Sequence, residues 1–427
     1  MATNVCLYEP KTIDMKSLRV YVAFLLLPLI FIQCEKENIN LPEGVDFTCA
    51  DAPTVCDLTA ANGDFAIAFF KQLNSEEESD KNIFVSPFSI STALSMTTNG
   101  AAGQTLDDMR NALKIGELPM AQVNTDYKTL LEVLPKLDPQ TKLKLAQSIW
   151  PQTDYPVLNE FLKLNESYYA SEVHPIDFRA DLHGAIEKVN LWVSDNTDGL
   201  IEDALSELPG NVVMLLINAI YFKGTWKAKF DPELTSPMPF FAPGGATEVD
   251  MMHLPEGSFP YFENDLFQAV DLPYSDSIFS MTVFLPKEGK DVEAVISELS
   301  PENYELWLSK FSNQNLDLYL PKFKMEYGAK LKRTLSDMGM GLAFSDAADF
   351  SKMIDGGGVK IDDVIHKAFV EVNEEGTEAA AVTVVVIIET SAQFPTLFKA
   401  DHPFFFVIRD NKTNSILFMG KVMNPKA

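Results

Sequence analysis

Basic residues are scarce in this chain. Its 427 residues include 34 Lys and Arg against 61 Asp and Glu, a formal charge of −27. No basic patch offsets that balance, which argues against a nucleic-acid partner, because such binding sets cations against phosphates. Catalytic signatures are missing too. The five histidines, His174, His183, His253, His366 and His402, form neither a His-Glu-x-x-His pair nor metal-finger spacing, and there is no Gly-x-Ser-x-Gly elbow. Gly100-Ala101-Ala102-Gly103-Gln104 has the glycines of a phosphate loop but not the Lys-Ser/Thr that would hold phosphate and metal. No metal or cofactor is expected, and the chain does not read as an enzyme.

A membrane-spanning run is also absent at the start. Lys16 to Arg19 are basic, and Val20 to Ile32 are apolar with one interruption at Pro28. That run falls short of the ~20 residues a spanning helix needs, and suits the apolar region of a signal peptide. Residues 1–33 are read as that signal, with Met15 the better start. Cys34 follows at once and resembles the lipobox cysteine of bacterial lipoproteins, although Gln33 stands where a small residue is usual. A plain secretory signal, or a buried Cys34, is the alternative. Residues 34–58 are polar and acidic, with Pro42 and Pro53, and read as a flexible tether with a reach of roughly 25–30 Å. Cys49 and Cys56 could close a small disulfide loop or stay free, since spacing alone does not fix geometry. The protein is expected to be exported. It would be either a lipoprotein in the periplasm or on the cell surface, touching the membrane only through its lipid, or an extracellular protein.

Globular patterning occupies residues 59–427. Asp64 is placed to cap a helix carrying Phe65, Ala68, Phe69 and Leu73 on one face. Ser86-Pro87 marks a helix start and Asn99-Gly100 its end, with Thr105 capping the next helix. Strands are predicted over residues 143–150, 212–222, 271–273, 281–286 and 316–322, followed by a helix over 327–338. Residues 404–409 and 415–422 flank a hairpin turn. Helices come early and strands late, with no internal repeat and no second linker, which favours one α+β domain.

One stretch stands out within it. Between Ala379 and Ile388 there is no charge, no Gly and no Pro, and Val382, Val384, Val385, Val386, Ile387 and Ile388 are broken only by Thr383. Such a run reads as a strand buried on both faces, and left exposed it invites aggregation. Its flanks are polar: Asn373-Glu374-Glu375-Gly376 before, Glu389-Thr390-Ser391-Ala392-Gln393 after. Gly376, Thr377, Ala379, Ala380 and Ala381 are small enough to slide between two strands. The run Glu374-Glu375-Gly376-Thr377-Glu378-Ala379-Ala380-Ala381-Val382-Thr383 closely resembles the reactive-loop hinge of inhibitory serpins. The resemblance extends from about residue 59 to the end. It also rests on residues 82–90 (NIFVSPFSI), 218–226 (NAIYFKGTW), 320–323 (LPKF), 365–368 (IHKA), 400–404 (ADHPF) and 418–422 (FMGKV).

That resemblance implies a serpin fold with three β-sheets, eight or nine helices and an exposed reactive-centre loop over about 376–400. It implies a monomer that traps a serine or cysteine protease covalently as a suicide substrate. The family's spacing puts the cleaved bond at Thr390-Ser391, with Ile388-Glu389, Glu389-Thr390 and Ala392-Gln393 left open. It assigns Glu375, Gly376, Thr377, Glu378, Ala379, Ala380, Ala381 and Thr383 to the hinge. Ser86, Ser89, Asn218 and His366 fall in the shutter beneath the large sheet, and Trp226 in the breach at its top. No Lys or Arg lies between Lys367 and Lys399, so trypsin-like proteases, whose pocket carboxylate requires a cation, are not expected targets. Val, Ile and Thr near the bond fit elastase-like serine proteases and papain-like cysteine proteases. The competing expectations are a non-inhibitory serpin, whose hinge would carry bulky or charged residues, and a surface binding lipoprotein in which residues 379–388 form an ordinary core strand.

Overall fold

The computed structural model describes residues 44–48, 50–377 and 394–426. Among these are nine α-helices. They are α1 (Pro53–Glu76), α2 (Pro87–Thr98), α3 (Gly103–Ala112), α4 (Met120–Val133), α5 (Asn159–Tyr169), α6 (Leu182–Asn196), α7 (Val292–Glu298), α8 (Pro301–Ser309) and α9 (Lys332–Leu335). Strands of the first half are β1 (Ile83–Val85), β2 (Lys142–Pro151), β3 (Glu172–Val173), β4 (Met214–Thr225), β5 (Ser236–Ala242) and β6 (Gly245–Glu263). Next come β7 (Phe267–Pro273), β8 (Phe279–Pro286), β9 (Ser312–Pro321), β10 (Phe323–Lys330) and β11 (Ile365–Asn373). The last four are β12 (Gly376–Thr377), β13 (Thr396–Lys399), β14 (Phe404–Asp410) and β15 (Ile416–Val422).

The expected three sheets are joined into two hydrogen-bonded ones. A six-stranded sheet has the order β10-β11-β12-β4-β2-β3. A nine-stranded sheet runs β1-β15-β14-β8-β7-β6-β9-β13, with β5 on β6. The join is β6, whose 19 residues pair with β5 and β9 and then, at Tyr261–Glu263, with β7. A register shift between Leu254 and Gly257 lets one strand serve both halves.

The core lies between the sheets and the early helices. Strands β8, β14 and β15 are buried at every position, which is why they read as mainly apolar runs, with Ser280, Thr282, Arg409, Asp410 and Lys421 buried among them. Phe284 stacks on Phe405 at 4.5 Å and Phe84 on Phe418 at 5.2 Å. Helix α2 passes beneath the six-stranded sheet. Its start is fixed as the sequence predicts: the Ser86 hydroxyl accepts from the Ser89 amide and Pro87 takes the first helical position.

Three local readings are corrected. Helix α1 begins at Pro53, and Val55 and Leu58 are already buried. The packed chain therefore starts inside the expected tether, and Asp64 is mid-helix, not a cap. Residues 327–330 belong to β10, where Phe323, Met325 and Tyr327 face inward and Lys324, Glu326 and Gly328 outward. That alternation is a strand's period, and helix begins only at Lys332. Helix α3 starts at Gly103 without a side-chain cap; Thr105 is buried within it and accepts from the Asp349 amide. Cys56 is disulfide-bonded, and every other cysteine lies outside the described residues.

Candidate functional site: the hinge and the seam it enters

The two residues of β12 occupy a place between the longer strands β11 and β4. Thr377 pairs with Val372 on one side and Gly224 on the other, and Gly376 pairs with Asn373 and Thr225. Gly376 has φ +152°, and a Cβ there would lie 2.0 Å from the Gly224 carbonyl oxygen. Only glycine fits so close to a neighbouring backbone. Thr377 is buried, its hydroxyl 2.7 Å from the Tyr274 hydroxyl.

A set of contacts anchors the turn that leads into β12. The Trp226 amide donates to the Glu375 carbonyl at 2.7 Å, and its indole nitrogen to the Asn373 carbonyl at 2.9 Å. The indole stacks on Tyr274 at 4.5 Å, nearly parallel. The Phe230 amide donates to the Glu374 carbonyl. The Glu374 carboxylate accepts from Thr235 Oγ1 at 2.9 Å and pairs with Lys322 at 2.9 Å. Burial pushes this carboxyl up, but the Lys322 and Thr235 hydrogen bonds outweigh it and hold the group below its ordinary range.

Beyond β12 the seam has no closure among the described residues: β4 and β11 form no ladder with each other. A cleft of about 1140 Å³ lies there, lined by Met214–Ala219 of β4, Ile365–Lys367 of β11 and the α2 face that carries Ser89, Ala93 and Thr97.

Of the four residues grouped by the family resemblance, Ser89, Asn218 and His366 line this cleft and Ser86 is bonded to two of them. The Ser86 amide donates to His366 Nε2 at 3.1 Å, and the Ser86 hydroxyl to the Leu417 carbonyl at 2.7 Å. Ser89 donates through its amide to Ser86 Oγ and through its hydroxyl to Asn218 Oδ1. They form one hydrogen-bonded chain linking β11, α2, β4 and β15. The Asn218 amide nitrogen is buried with no partner among the described residues, so the network keeps a donor in reserve. Because Nε2 accepts, Nδ1 carries the proton, and burial drives the His366 ring down to about 4.

Trp226 sits at the top of the seam with Gly376 and Thr377 beside it. Glu378, Ala379, Ala380, Ala381, Thr383, Ile388, Glu389, Thr390, Ser391, Ala392 and Cys34 lie outside the described residues. Tyr274, Thr235 and the Glu374–Lys322 pair were not identified from sequence. Tyr274 reads only as the start of a turn, and Lys322 as part of a strand motif, because their partners are far off in the chain.

Two outcomes follow from this geometry. Gly376→Ala should expel the hinge from the seam, breaking the Thr377–Tyr274 bond and opening Trp226 to water. Its tryptophan emission should shift to the red and the 374–377 segment should be cut faster in limited proteolysis; an unchanged spectrum and cleavage rate would oppose this. His366 binds a proton at pH 6.5 when unfolded but only near 4 when folded, so its contribution to stability falls as pH drops through that window. The loss reaches about 3 kcal/mol at 1.36 kcal/mol per pKa unit. In urea titrations, His366→Gln should show a shallower acid slope than wild type; parallel slopes would remove His366 as the cause.

The family profile "Serpin (serine protease inhibitor)" matches residues 60–425. An uncharacterized serpin-like protein of Thermococcus kodakarensis is 39% identical over 85% of this chain and 84% of its own length. Leukocyte elastase inhibitor of Xenopus laevis is 36% identical over 86% of this chain and all of its own. The crystal structure of human thyroxine-binding globulin complexed with thyroxine superposes with a TM-score of 0.80. It is 29% identical, covering 88% of this chain and 100% of that one.

Proposed function

The chain belongs to the serpin family, and on that premise we propose that it is an inhibitory member, a suicide-substrate trap for elastase-like serine or papain-like cysteine proteases. The observation that carries this reading is the seating of Gly376 and Thr377 between β11 and β4. A loop that enters a sheet at its hinge has its first strand residues already paired. The rest can follow, because what comes next is small: Ala379, Ala380 and Ala381.

The chemistry is the protease's own. Its serine or cysteine attacks the carbonyl of Thr390, the peptide bond breaks, and Ser391 leaves with a free amine. The loop is then severed from its far anchor. The segment from Gly376 inserts between β4 and β11, adding a strand and drawing the acylated protease with it. Deacylation fails once the protease's catalytic geometry is disturbed, since small misplacements cost orders of magnitude in rate. The roles of Ser86, Ser89, Asn218 and His366 follow. As a buried polar chain they exchange partners when the strands part, at less cost than separating an apolar seam. Trp226 and Tyr274 hold the point where insertion starts. Acylation of Cys34 would tether the inhibitor to a membrane outside the cytoplasm.

A carrier reading is suggested by the thyroxine-binding globulin likeness, but the small hinge residues favour insertion over it. Incubation with pancreatic elastase and with papain should give an SDS-resistant adduct of higher mass. Thr383→Arg should leave cleavage intact but abolish trapping. After insertion this side chain would face the core. Burying its charge costs several kcal/mol, slowing insertion about a thousandfold so that deacylation wins. Adduct formation by Thr383→Arg at wild-type stoichiometry would rule out this register.

A further inference from the structure

Most phenylalanines whose burial is described are packed inside; Phe241 is 54% exposed, and one other stands out further. Phe394 is 99% exposed, and Leu397 on the adjoining strand is 53% exposed. The contrast is sharp along a single stretch, because Phe398 and Ala400 are fully buried. An aromatic ring in water contributes nothing to the core and adds an aggregation risk, so its value to the fold is small.

Its base, however, is rigid. Pro395 follows and fixes its own φ. Thr396–Lys399 then form a parallel ladder with Leu316–Tyr319 of β9. Phe398 is the inward anchor of that strand, and Gln268 Nε2 donates to the Leu397 carbonyl at 3.3 Å. Strand β13 is the edge of the nine-stranded sheet, so Leu397 and Phe394 face outward from a fixed rim.

We propose that Phe394, supported by Leu397, is an aromatic docking anchor for the attacking protease, seated in an apolar depression on the protease's leaving-group side. This rests on the inhibitory reading above. The occupant is identified by reach. Whichever of the four candidate bonds is cut, Phe394 lies at most about 20 Å of extended chain beyond it. A protease holding that bond in its active site spans more than this distance and meets the ring. A few well-packed anchor residues, aromatics among them, carry most of the binding energy at such contacts, and a strand already ordered lowers the entropy lost on docking. Specificity would then come from both sides of the cut bond. Val, Ile and Thr select the pocket before it, and Phe394 selects proteases with an apolar surface after it.

The test uses the full chain with pancreatic elastase and with papain. For wild type, Phe394→Ala and Phe394→Leu, the second-order rate of loop cleavage is measured alongside the fraction of cleaved protein found as adduct and the thermal midpoint. Phe394→Ala should slow cleavage about tenfold with at least one protease, Phe394→Leu should recover most of the rate, and adduct fraction and midpoint should stay at wild-type values. Equal rates for all three proteins with both proteases would overturn the proposal, and so would a lowered midpoint in Phe394→Ala, which would make the ring structural. Cleavage rate is measurable whether the protease is trapped or merely turns over. Absence of adduct from wild type would therefore count against the inhibitory reading, and the rate comparison would still decide the role of Phe394.

Discussion

Strands β4 and β11 are held apart by two residues. With β12 between them they stand two strand spacings from each other at the top of the sheet, about 9.5 Å, and no described residues close them below. Backbone amides and carbonyls along a buried seam need partners, so on the inhibitory reading this gap between the described strands is where the cleaved loop would pair. The rest of the structure follows from that constraint. Gly376 is glycine because β4 is too close for a Cβ. Tyr274 and Trp226 form a stacked wall that receives Thr377. Glu374 and Lys322 pair across the turn that leads into β12.

The buried polar chain beneath the seam answers the same constraint. An apolar zipper between β4, β11 and α2 would be more stable, and slow to open. Ser86, Ser89, Asn218 and His366 instead connect these elements by hydrogen bonds, which on the proposed reading would exchange partners as the strands part. A neutral imidazole accepting from the Ser86 amide ties the helix start to β11, the strand that would move on insertion.

Much of this could be read from sequence, and the failures have physical causes. The helix start at Ser86-Pro87 and the strands β2, β4, β8, β14 and β15 are legible because capping chemistry and mainly apolar runs act locally. The extension of β10 through Tyr327 is not read from sequence although its alternation is plain, because the Lys- and Arg-rich segment after Gly328 reads as helix. Helix α1 was placed too late, since Val55 and Leu58 are isolated apolar residues in an acidic stretch. Hinge and shutter residues came from motif resemblance, not periodicity. The contacts made by Tyr274, Thr235 and Lys322 depend on neighbours from other strands, and no local pattern announces them.

The central claim is that the cleaved loop becomes a strand of the six-stranded sheet. Clean cleavage of the full chain between Val386 and Ala392, followed by calorimetry of cut and uncut protein, tests it most directly. A strand added across the open seam should raise the thermal midpoint by on the order of tens of degrees, since each 1 kcal/mol moves a midpoint by only about 2–4 °C. A midpoint that does not move after cleavage would contradict insertion and leave the open seam without a purpose.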